Sequence, residues 1–184
     1  MVLNIIGGDR PGRTKNLMYE IDRCGIENYK LWPPIKLPSI KESINKAHRQ
    51  IVEWAYNEGV EEILIAEDDF KSTHQDSFRF FLSKKPEFYD IYLGGIFLGD
   101  LDECDKVKSF TGLTMYFVHS RYFETFISIP GIDHIDHELS KEGGEFIVCN
   151  PFPFTQYSGI SSNTGKFEDY NELFKFRNLF IGEI

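Results

Sequence analysis

The chain has 184 residues, a formal net charge of −9 and 41% hydrophobic residues, with 17 Phe and 9 Tyr in the sequence. This length and composition predict one folded domain with a sizeable aromatic core, and they argue against disorder. The acidic balance, without a cluster of Lys and Arg, argues against a nucleic-acid partner. An acidic protein that handles a phosphorylated substrate would need local positive charge or a metal ion at its site.

The first strand and helix signals lie within residues 2–24. Residues 2–6 form a short β-branched run that ends at two glycines, and residues 14–24 place apolar side chains on one helical face. Residues 31–38 contain three prolines, which exclude a helix or a central strand and predict a connection. A strand, a glycine-bearing turn and a helix are the opening of an α/β unit.

Residues 39–59 carry the clearest helix signal. Ser39 and Glu42 have the spacing of a capping box, an apolar stripe follows at helical spacing, and Gly59 provides the end. The apolar segment 61–66 then predicts a buried strand.

The second half of the chain continues the alternation of helices and strands. It predicts strands within residues 89–99, 112–120 and 145–154, the last of which breaks at Pro151 and Pro153. It also predicts helical segments at 76–85, 121–129 and part of 131–144. This alternation predicts an α/β fold whose mostly parallel sheet is covered by helices on both faces. We expect residues 1–184 to form a single domain.

Three cysteines, Cys24, Cys104 and Cys149, lie far apart in the sequence. Their number and spacing match neither a disulfide framework nor a zinc site, which favours a reducing compartment. The N-terminus becomes polar too soon for a signal peptide, and no apolar run approaches the ~20 residues of a membrane span. We therefore expect a cytoplasmic protein without a membrane span.

A glycine-bearing loop, GGDRPGR, follows the first predicted strand. In α/β sheets ligands bind beyond the carboxyl ends of strands, so this loop lies at the expected edge. Gly7 and Gly8 permit close backbone approach, and Arg10 or Arg13 could contact a phosphate or a base of a nucleotide. The alternative is that both arginines are ordinary surface residues.

Three consecutive carboxylates, Glu67, Asp68 and Asp69, close the second predicted strand. Mn²⁺ and Mg²⁺ prefer oxygen ligands and are often held by one or two carboxylates together with substrate phosphates. On a continuing strand Glu67 and Asp69 would share a face, whereas a turn at Asp68 would allow either aspartate to be the ligand. The alternative is a solvated strand end with a helix cap.

The order of these segments resembles that of the glycosyltransferases of family 25, the lipopolysaccharide-biosynthesis and collagen-galactosyltransferase type, which have a GT-A fold. Glu-Asp-Asp is the most specific part of the resemblance. One departure is Ser43-Ile44, where the family has Gly-Cys before the helix histidine. The segments that carry the resemblance are DRPGRTKNLMYEIDRCGI, SINKAHRQIVEWAYNEGVEEILIAEDDF, GLTMYFVHSRYFETFI, GIDHIDHEL and NPFPFTQYSGISS.

The resemblance implies transfer of a sugar from a UDP- or GDP-sugar to a glycan acceptor hydroxyl, with inversion. The leaving nucleoside diphosphate develops negative charge, which Mn²⁺ or Mg²⁺ held by Asp69 and Asp68 would stabilise. The resemblance also favours donor contacts from His48, Glu67 and Gln156. Taken alone, His48 borders an apolar stripe, and this position favours a partly buried structural histidine. Loop polarity explains Gln156 equally well.

The segment GIDHIDHEL supplies candidates for the remaining chemistry. An acceptor hydroxyl needs a general base, for which Asp136 is the first choice and Asp133 the second. His137 would complete the metal shell or contact the diphosphate. The alternative for this segment is a helix N-terminus with capping acids and exposed histidines.

Two other classes of function are alternatives, and the first of them would use the same carboxylates. One is a different metal-dependent nucleotide or phosphate enzyme, either a nucleotidyltransferase or a phosphohydrolase. The other is a non-catalytic carbohydrate-binding domain, which would bind no pair of metal ion and nucleotide.

Overall fold

The structure is a computed structural model that describes residues 1–8, 11–161 and 165–182. Strands and helices alternate along the chain, as the sequence predicts. The strands are β1 (Leu3–Ile6), β2 (Tyr29–Trp32), β3 (Glu62–Glu67), β4 (Phe70–Ser72), β5 (Ile91–Leu93), β6 (Met115–His119), β7 (Phe146–Val148), β8 (Phe154–Gln156), β9 (Gly159–Ile160) and β10 (Phe167–Glu168). The helices are α1 (Pro11–Arg23), α2 (Ile40–Asn57), α3 (Ser77–Ser83), α4 (Phe123–Ser128), α5 (Ile135–Glu142) and α6 (Tyr170–Phe174).

Six strands form a mixed sheet in the order β2-β1-β3-β6-β5-β7. The pairs β2-β1, β1-β3 and β5-β7 are parallel, whereas β6 is antiparallel to both of its neighbours. All strands of this sheet except β6 therefore run in the same direction. This arrangement confirms the predicted α/β fold with a mixed, mostly parallel sheet.

Each face of the sheet has its own hydrophobic core, because successive residues of a strand point to opposite faces. Ile63 and Ile65 of β3 belong to the core that contains residues of α2, α4 and α5. Leu64 and Ala66 belong to the core that contains residues of α1 and α3. All four side chains are buried, because β3 lies between two layers of helices. This burial on both faces explains why the sequence of β3 is a continuous apolar run.

Helix α2 forms as the capping box predicts. Ser39 is its N-cap and accepts the backbone N–H of Glu42 through its hydroxyl oxygen at 3.3 Å. Gly59 follows the helix with a φ of +65°, a left-handed conformation that glycine adopts without a Cβ penalty. The side chains of α2 that face the sheet include a buried histidine, His48, which is 1% exposed.

The structure corrects two parts of the predicted element order. The predicted connection begins later than expected, because Leu31 and Trp32 belong to β2, an edge strand that ends just before the prolines. The last predicted strand, β7, joins the main sheet and ends before the prolines as expected, but a further strand that was not predicted, β8, follows them and pairs with β4 in a separate two-stranded sheet. Two prolines between β7 and β8 lack the N–H that a continuous ladder needs.

The lengths and compositions of the helices show whether any of them could cross a membrane. Within residues 1–8, 11–161 and 165–182, no helix combines the length and the apolar character that crossing a bilayer requires.

Candidate active site

The acidic segment forms a tight turn at the carboxyl end of the sheet. β3 ends at Glu67 and β4 begins at Phe70, so Asp68 and Asp69 occupy the turn between these strands. The two aspartates are 4% and 6% exposed. Because Ile6 pairs with Glu67 in parallel register, the loop after β1 lies directly beside this turn. The two segments that the sequence placed at the ligand edge are therefore adjacent.

The two glycines after β1 make room for Asp68. The Oδ2 atom of Asp68 accepts the backbone N–H of Gly8 at 2.9 Å. Gly7 has a φ of +111°, and a Cβ at this position would lie 2.3 Å from the same Oδ2. Glycine is therefore required here by the close approach of a protein carboxylate, a role that the sequence pattern did not indicate.

Arg13, from the first turn of α1, supplies positive charge to the acidic turn. Its Nη1 atom lies 2.8 Å from Asp68 Oδ1 and 2.7 Å from Asp69 Oδ2. Burial lowers the pKa of Arg13, but the charges of Asp69 and Asp68 more than offset this and raise it. A protein cation thus offsets part of the repulsion between the carboxylates. The other arginine of this loop, Arg10, lies outside the described residues.

Asp69 differs from Asp68 in having an oxygen without a partner. Its Oδ1 atom is buried and accepts no hydrogen bond among the residues that the structure describes. Burial, followed by the charge of Glu67, raises the pKa of Asp69 to about 7, with Arg13 acting in the opposite direction. A buried oxygen that lacks a partner is costly, and a ligand cation would satisfy it.

Glu67 ends a chain of polar contacts that runs into the core. Gln156 donates through Nε2 to Glu67 Oε2 at 2.5 Å, and His48 Nε2 lies 3.4 Å from Glu67 Oε1. His48 Nδ1 lies 2.6 Å from the hydroxyl oxygen of Tyr116, a residue of β6 that the sequence analysis did not select. Burial, and then the charge of Glu67, raise the pKa of Tyr116.

The carboxylate of Glu67 selects the tautomer of the neutral form of His48. A carboxylate oxygen only accepts hydrogen bonds, and Nε2 lies 3.4 Å from Glu67 Oε1, so the single hydrogen of the neutral imidazole is on Nε2. Nδ1 then accepts from the hydroxyl of Tyr116. His48 is therefore buried, as a structural histidine would be, and it also supports a carboxylate of the site.

A cavity of about 490 Å³ opens over the acidic turn, and we call it the carboxylate cavity. One wall is charged, with Arg13, Glu67, Asp68 and Asp69. The cavity also has an apolar lining, which comes from the predicted connection 31–38 and includes Pro34, Ile35 and Leu37. A cavity lined by both charged and apolar side chains suits a ligand with a phosphate part and a ring part.

A second cavity, of about 280 Å³, adjoins the first and lies against the N-terminus of α5. We call it the α5 cavity, and Asp136, His134 and His137 line it. The two cavities share a wall formed by Ile44, Glu67, Gln156, Ser161 and Tyr170.

Tyr170 is a part of this shared wall that the sequence did not indicate. It begins α6, in a tail where no element was predicted. Burial, and then the charges of Asp69 and Glu67, raise the pKa of Tyr170 to about 12. Its hydroxyl therefore keeps its proton at neutral pH and can donate a hydrogen bond to a ligand in either cavity.

The two candidate bases, Asp136 in α5 and Asp133 just before it, have different surroundings. Asp136 is 8% exposed, and its oxygens accept the backbone N–H groups of Gly112 at 2.8 Å and His137 at 2.9 Å. Asp133 contacts Lys41 and Lys141, at 3.0 and 3.1 Å, and does not line either cavity. The hydrogen bonds from Lys41, from the backbone of residue 134 and from Lys141 hold the pKa of Asp133 well below its usual range.

The predicted metal ligands do not all meet in one place. Asp68 and Asp69 line the carboxylate cavity, whereas His137 lines the α5 cavity, with its Nδ1 atom 3.8 Å from Asp133 Oδ2. Across the described ranges, no group of three or more His, Cys, Asp or Glu side chains is arranged to hold a metal ion. A metal at this site would therefore depend on one or two carboxylates and on oxygens of the substrate.

No protein-family model and no curated protein matches the chain. Among solved structures, HddC from Yersinia pseudotuberculosis superposes with a TM-score of 0.52 at 12% identity, covering 80% of this chain and 88% of HddC. HddC complexed with GMP-PN gives a TM-score of 0.50 at 13% identity with the same coverage. A glycosyltransferase involved in the glycosylation of the major capsid of PBCV-1 gives 0.48 at 12% identity, covering 82% and 81%. At such identity the likeness to HddC shows the fold alone, and it does not indicate family 25.

Proposed function

We propose that this chain is a metal-dependent glycosyltransferase. It moves a sugar from a nucleotide-diphosphate sugar to a glycan acceptor hydroxyl, with inversion. The observation that supports this proposal best is the pair of adjoining cavities at the carboxyl end of the sheet, which share the wall of Glu67 and Gln156. A transfer between two substrates needs two sites that meet at one wall.

The carboxylate cavity suits the donor. Arg13 carries the positive charge that a diphosphate requires, and Pro34, Ile35 and Leu37 offer an apolar surface to a base or ribose. The likeness to HddC, which has been solved in complex with GMP-PN, supports a nucleotide ligand for this fold. A UDP- or GDP-sugar is the donor class we expect.

Asp69 fits a divalent metal ion because its buried Oδ1 atom lacks a partner among the described residues. Asp68 is the second candidate ligand, and its Oδ1 atom is held by Arg13. When bound, Mn²⁺ or Mg²⁺ would supply Lewis-acid stabilisation of the negative charge on the leaving diphosphate. A contact from His137, across the shared wall, stays a prediction.

The α5 cavity suits the acceptor. Asp136 lines it and is oriented by the two N–H groups that its oxygens accept, so it is our first candidate for the base that takes the proton of the acceptor hydroxyl. Asp133 is less suited, because a carboxylate with a strongly lowered pKa is a weak base. Glu67 is a rival to Asp136, because it lines both cavities.

Two experiments separate this proposal from its alternatives. A thermal-shift screen of UDP, GDP, CDP and their sugars, with and without Mn²⁺, should show a metal-dependent rise in melting temperature with one nucleotide. The products then define the reaction: a glycosyltransferase releases a nucleoside diphosphate only when an acceptor is glycosylated. A nucleotidyltransferase would exchange pyrophosphate, a phosphohydrolase would release phosphate without an acceptor, and a carbohydrate-binding domain would show no metal-dependent shift.

The Asp69→Asn variant tests the metal ligand within the same screen. It should abolish the Mn²⁺-dependent part of the shift, because it removes the charge of the carboxylate that has a free oxygen. Asp22→Asn is the matched control, since it makes the same chemical change at an exposed position of α1. A full Mn²⁺-dependent shift in Asp69→Asn would show that the metal is not held there.

A further inference from the structure

Arg13 contacts both of the aspartates that would hold a divalent ion. A single nitrogen, Nη1, lies 2.8 Å from Asp68 Oδ1 and 2.7 Å from Asp69 Oδ2. While Arg13 makes these contacts, those two oxygens are less accessible to a metal ion. Arg13 and the metal ion therefore compete for the same pair of carboxylates.

Arg13 satisfies the acidic turn only in part. Three carboxylates, from Glu67 to Asp69, line the carboxylate cavity together with the guanidinium of Arg13, and Lys36 also lines this cavity. The Oδ1 atom of Asp69 has no partner among the described residues although the side chain is more than nine-tenths buried. Arg13, which contacts only Oδ2 of Asp69, therefore leaves this carboxylate with capacity for another cation.

Arg13 has an alternative partner as soon as a donor enters. Its side chain is 23% exposed and lines the cavity, and its further contact, to the carbonyl oxygen of Ile160, is long at 3.4 Å. A guanidinium binds phosphate oxygens through parallel N–H groups at least as well as it binds carboxylates. A diphosphate in the carboxylate cavity would therefore offer Arg13 new acceptors and bring oxygen ligands for the metal ion.

We propose that Arg13 is an exchangeable cation that closes the metal site until a nucleoside diphosphate binds. The guanidinium then transfers from the two aspartates to a phosphate, and the divalent ion takes its place on Asp69. This inference rests on the proposed function, since it assumes a site for a metal ion and a nucleotide. Its consequence is that metal and nucleotide bind with strong positive coupling, which is reciprocal by linkage.

Titration with Mn²⁺, in which electron paramagnetic resonance measures the free ion, tests this proposal without an activity assay. Without nucleotide, Arg13→Ala and Arg13→Gln should bind Mn²⁺ at least about tenfold more tightly than the wild type, within the usual range of coupling between sites. UDP or GDP should raise the Mn²⁺ affinity of the wild type far more than that of either variant. The double variant Arg13→Gln with Asp69→Asn should lose the tighter Mn²⁺ binding that Arg13→Gln alone shows without nucleotide.

Lys15→Ala is the matched control, because it removes one positive charge from an exposed position of the same helix. It should leave Mn²⁺ binding unchanged, which separates release of the carboxylates from a change in net charge. Circular dichroism checks the fold of each variant. If Arg13→Ala is unstable, Arg13→Gln, which retains a polar side chain, provides the test.

The possible failures are distinguishable. Equal Mn²⁺ affinity of the wild type and both Arg13 variants without nucleotide would overturn the exchange and leave the proposed function intact, provided that Mn²⁺ still binds with nucleotide. If neither the wild type nor the variants bind Mn²⁺ with UDP, GDP or CDP, the metal dependence in the proposed function is wrong as well.

Discussion

Asp68 and Asp69 are neighbours in the sequence but have different roles in the turn. Asp68 uses both oxygens within the protein, one with the N–H of Gly8 and one with Arg13. Asp69 shares Arg13 and keeps its Oδ1 atom without a partner among the described residues. Asp68 therefore fixes the shape of the turn, and Asp69 is the better candidate for a metal ligand.

The packing of Gly7 against Asp68 leads to a stability prediction. Gly7→Ala should lower the free energy of unfolding by at least about 2 kcal/mol, because the new Cβ overlaps Asp68 Oδ2 and the positive φ is strained for alanine. Urea denaturation measures the change. Gly12→Ala is the control, since a Cβ there meets nothing within 4 Å and should be neutral or slightly stabilising. Equal stabilities of the two variants would contradict the close approach.

The base of the proposed transfer is also decided at the scale of single residues. Asp136→Asn should lower kcat by about 10²–10⁴-fold while the affinity for the nucleotide stays unchanged, because Asp136 lies in the α5 cavity and not in the carboxylate cavity. Steady-state kinetics and calorimetry give the two quantities. A small effect of Asp136→Asn beside a large loss of kcat in Glu67→Gln would assign the base to Glu67.

Some of this detail could be predicted from the sequence. The three carboxylates are contiguous and follow an apolar strand, so the acidic turn is visible as a local pattern. The contact between Arg13 and Asp68 joins residues that are 55 positions apart, and that between His48 and Tyr116 spans 68. No local pattern indicates such pairs, because they depend on which strands become neighbours.

At the scale of elements, α1 and the two-stranded sheet of β4 and β8 hold the site together. Glu20 of α1 is fully buried and accepts the backbone N–H of Ser72 at 3.1 Å and the hydroxyl of Tyr157 at 2.6 Å. These contacts join the helix that carries Arg13 to β4 and to the residue that directly follows Gln156. Glu20 was not selected from the sequence, because an acid on a partly polar helix normally faces solvent.

The beginning of β3 gives a prediction about pH. Burial raises the pKa of Glu62, but hydrogen bonds from Lys85 and Tyr89 outweigh this and lower it below its ordinary value. A carboxylate whose pKa is lowered by folding stabilises the folded state at a pH above its ordinary, unfolded-state pKa. This stabilisation is lost as the pH falls through the lowered, folded-state pKa. Glu62→Gln should therefore cost about 1 kcal/mol of unfolding free energy at pH 7, and the cost should shrink below about pH 4.

Urea denaturation at several pH values measures this difference. Glu61→Gln, one residue earlier and exposed, is the control and should not change the pH dependence. A cost of Glu62→Gln that stays constant between pH 7 and pH 3 would show that the contacts with Lys85 and Tyr89 do not depend on the charge of Glu62.

The element order shows where sequence patterns are sufficient. β3 and α2 have long, regular patterns and form as predicted. β2 has mostly exposed side chains and lies at an edge, and β4 has only three residues, so neither produces an apolar run. Short or exposed strands exist because a neighbour pairs with them, and this information is not local.

For the whole molecule, the arrangement of strands explains why the site lies where it does. β1 and β3 are parallel neighbours, so their following loops meet at one edge, and β8 approaches the same edge through its pairing with β4. The α/β class and the ligand edge follow from the alternation of helices and strands in the sequence. The pair of cavities does not, because Gln156, Ser161 and Tyr170 of their shared wall come from the C-terminal part of the chain.

The most direct test of the account is a crystal structure of the protein with Mn²⁺ and the nucleotide sugar that gives the largest thermal shift, with anomalous data recorded at the manganese edge. The account predicts one manganese peak in the carboxylate cavity, coordinated by Asp69 and by the diphosphate, with the sugar directed towards the wall of Glu67 and Gln156. A nucleotide sugar bound elsewhere, or bound in this cavity without manganese at Asp69, would contradict it.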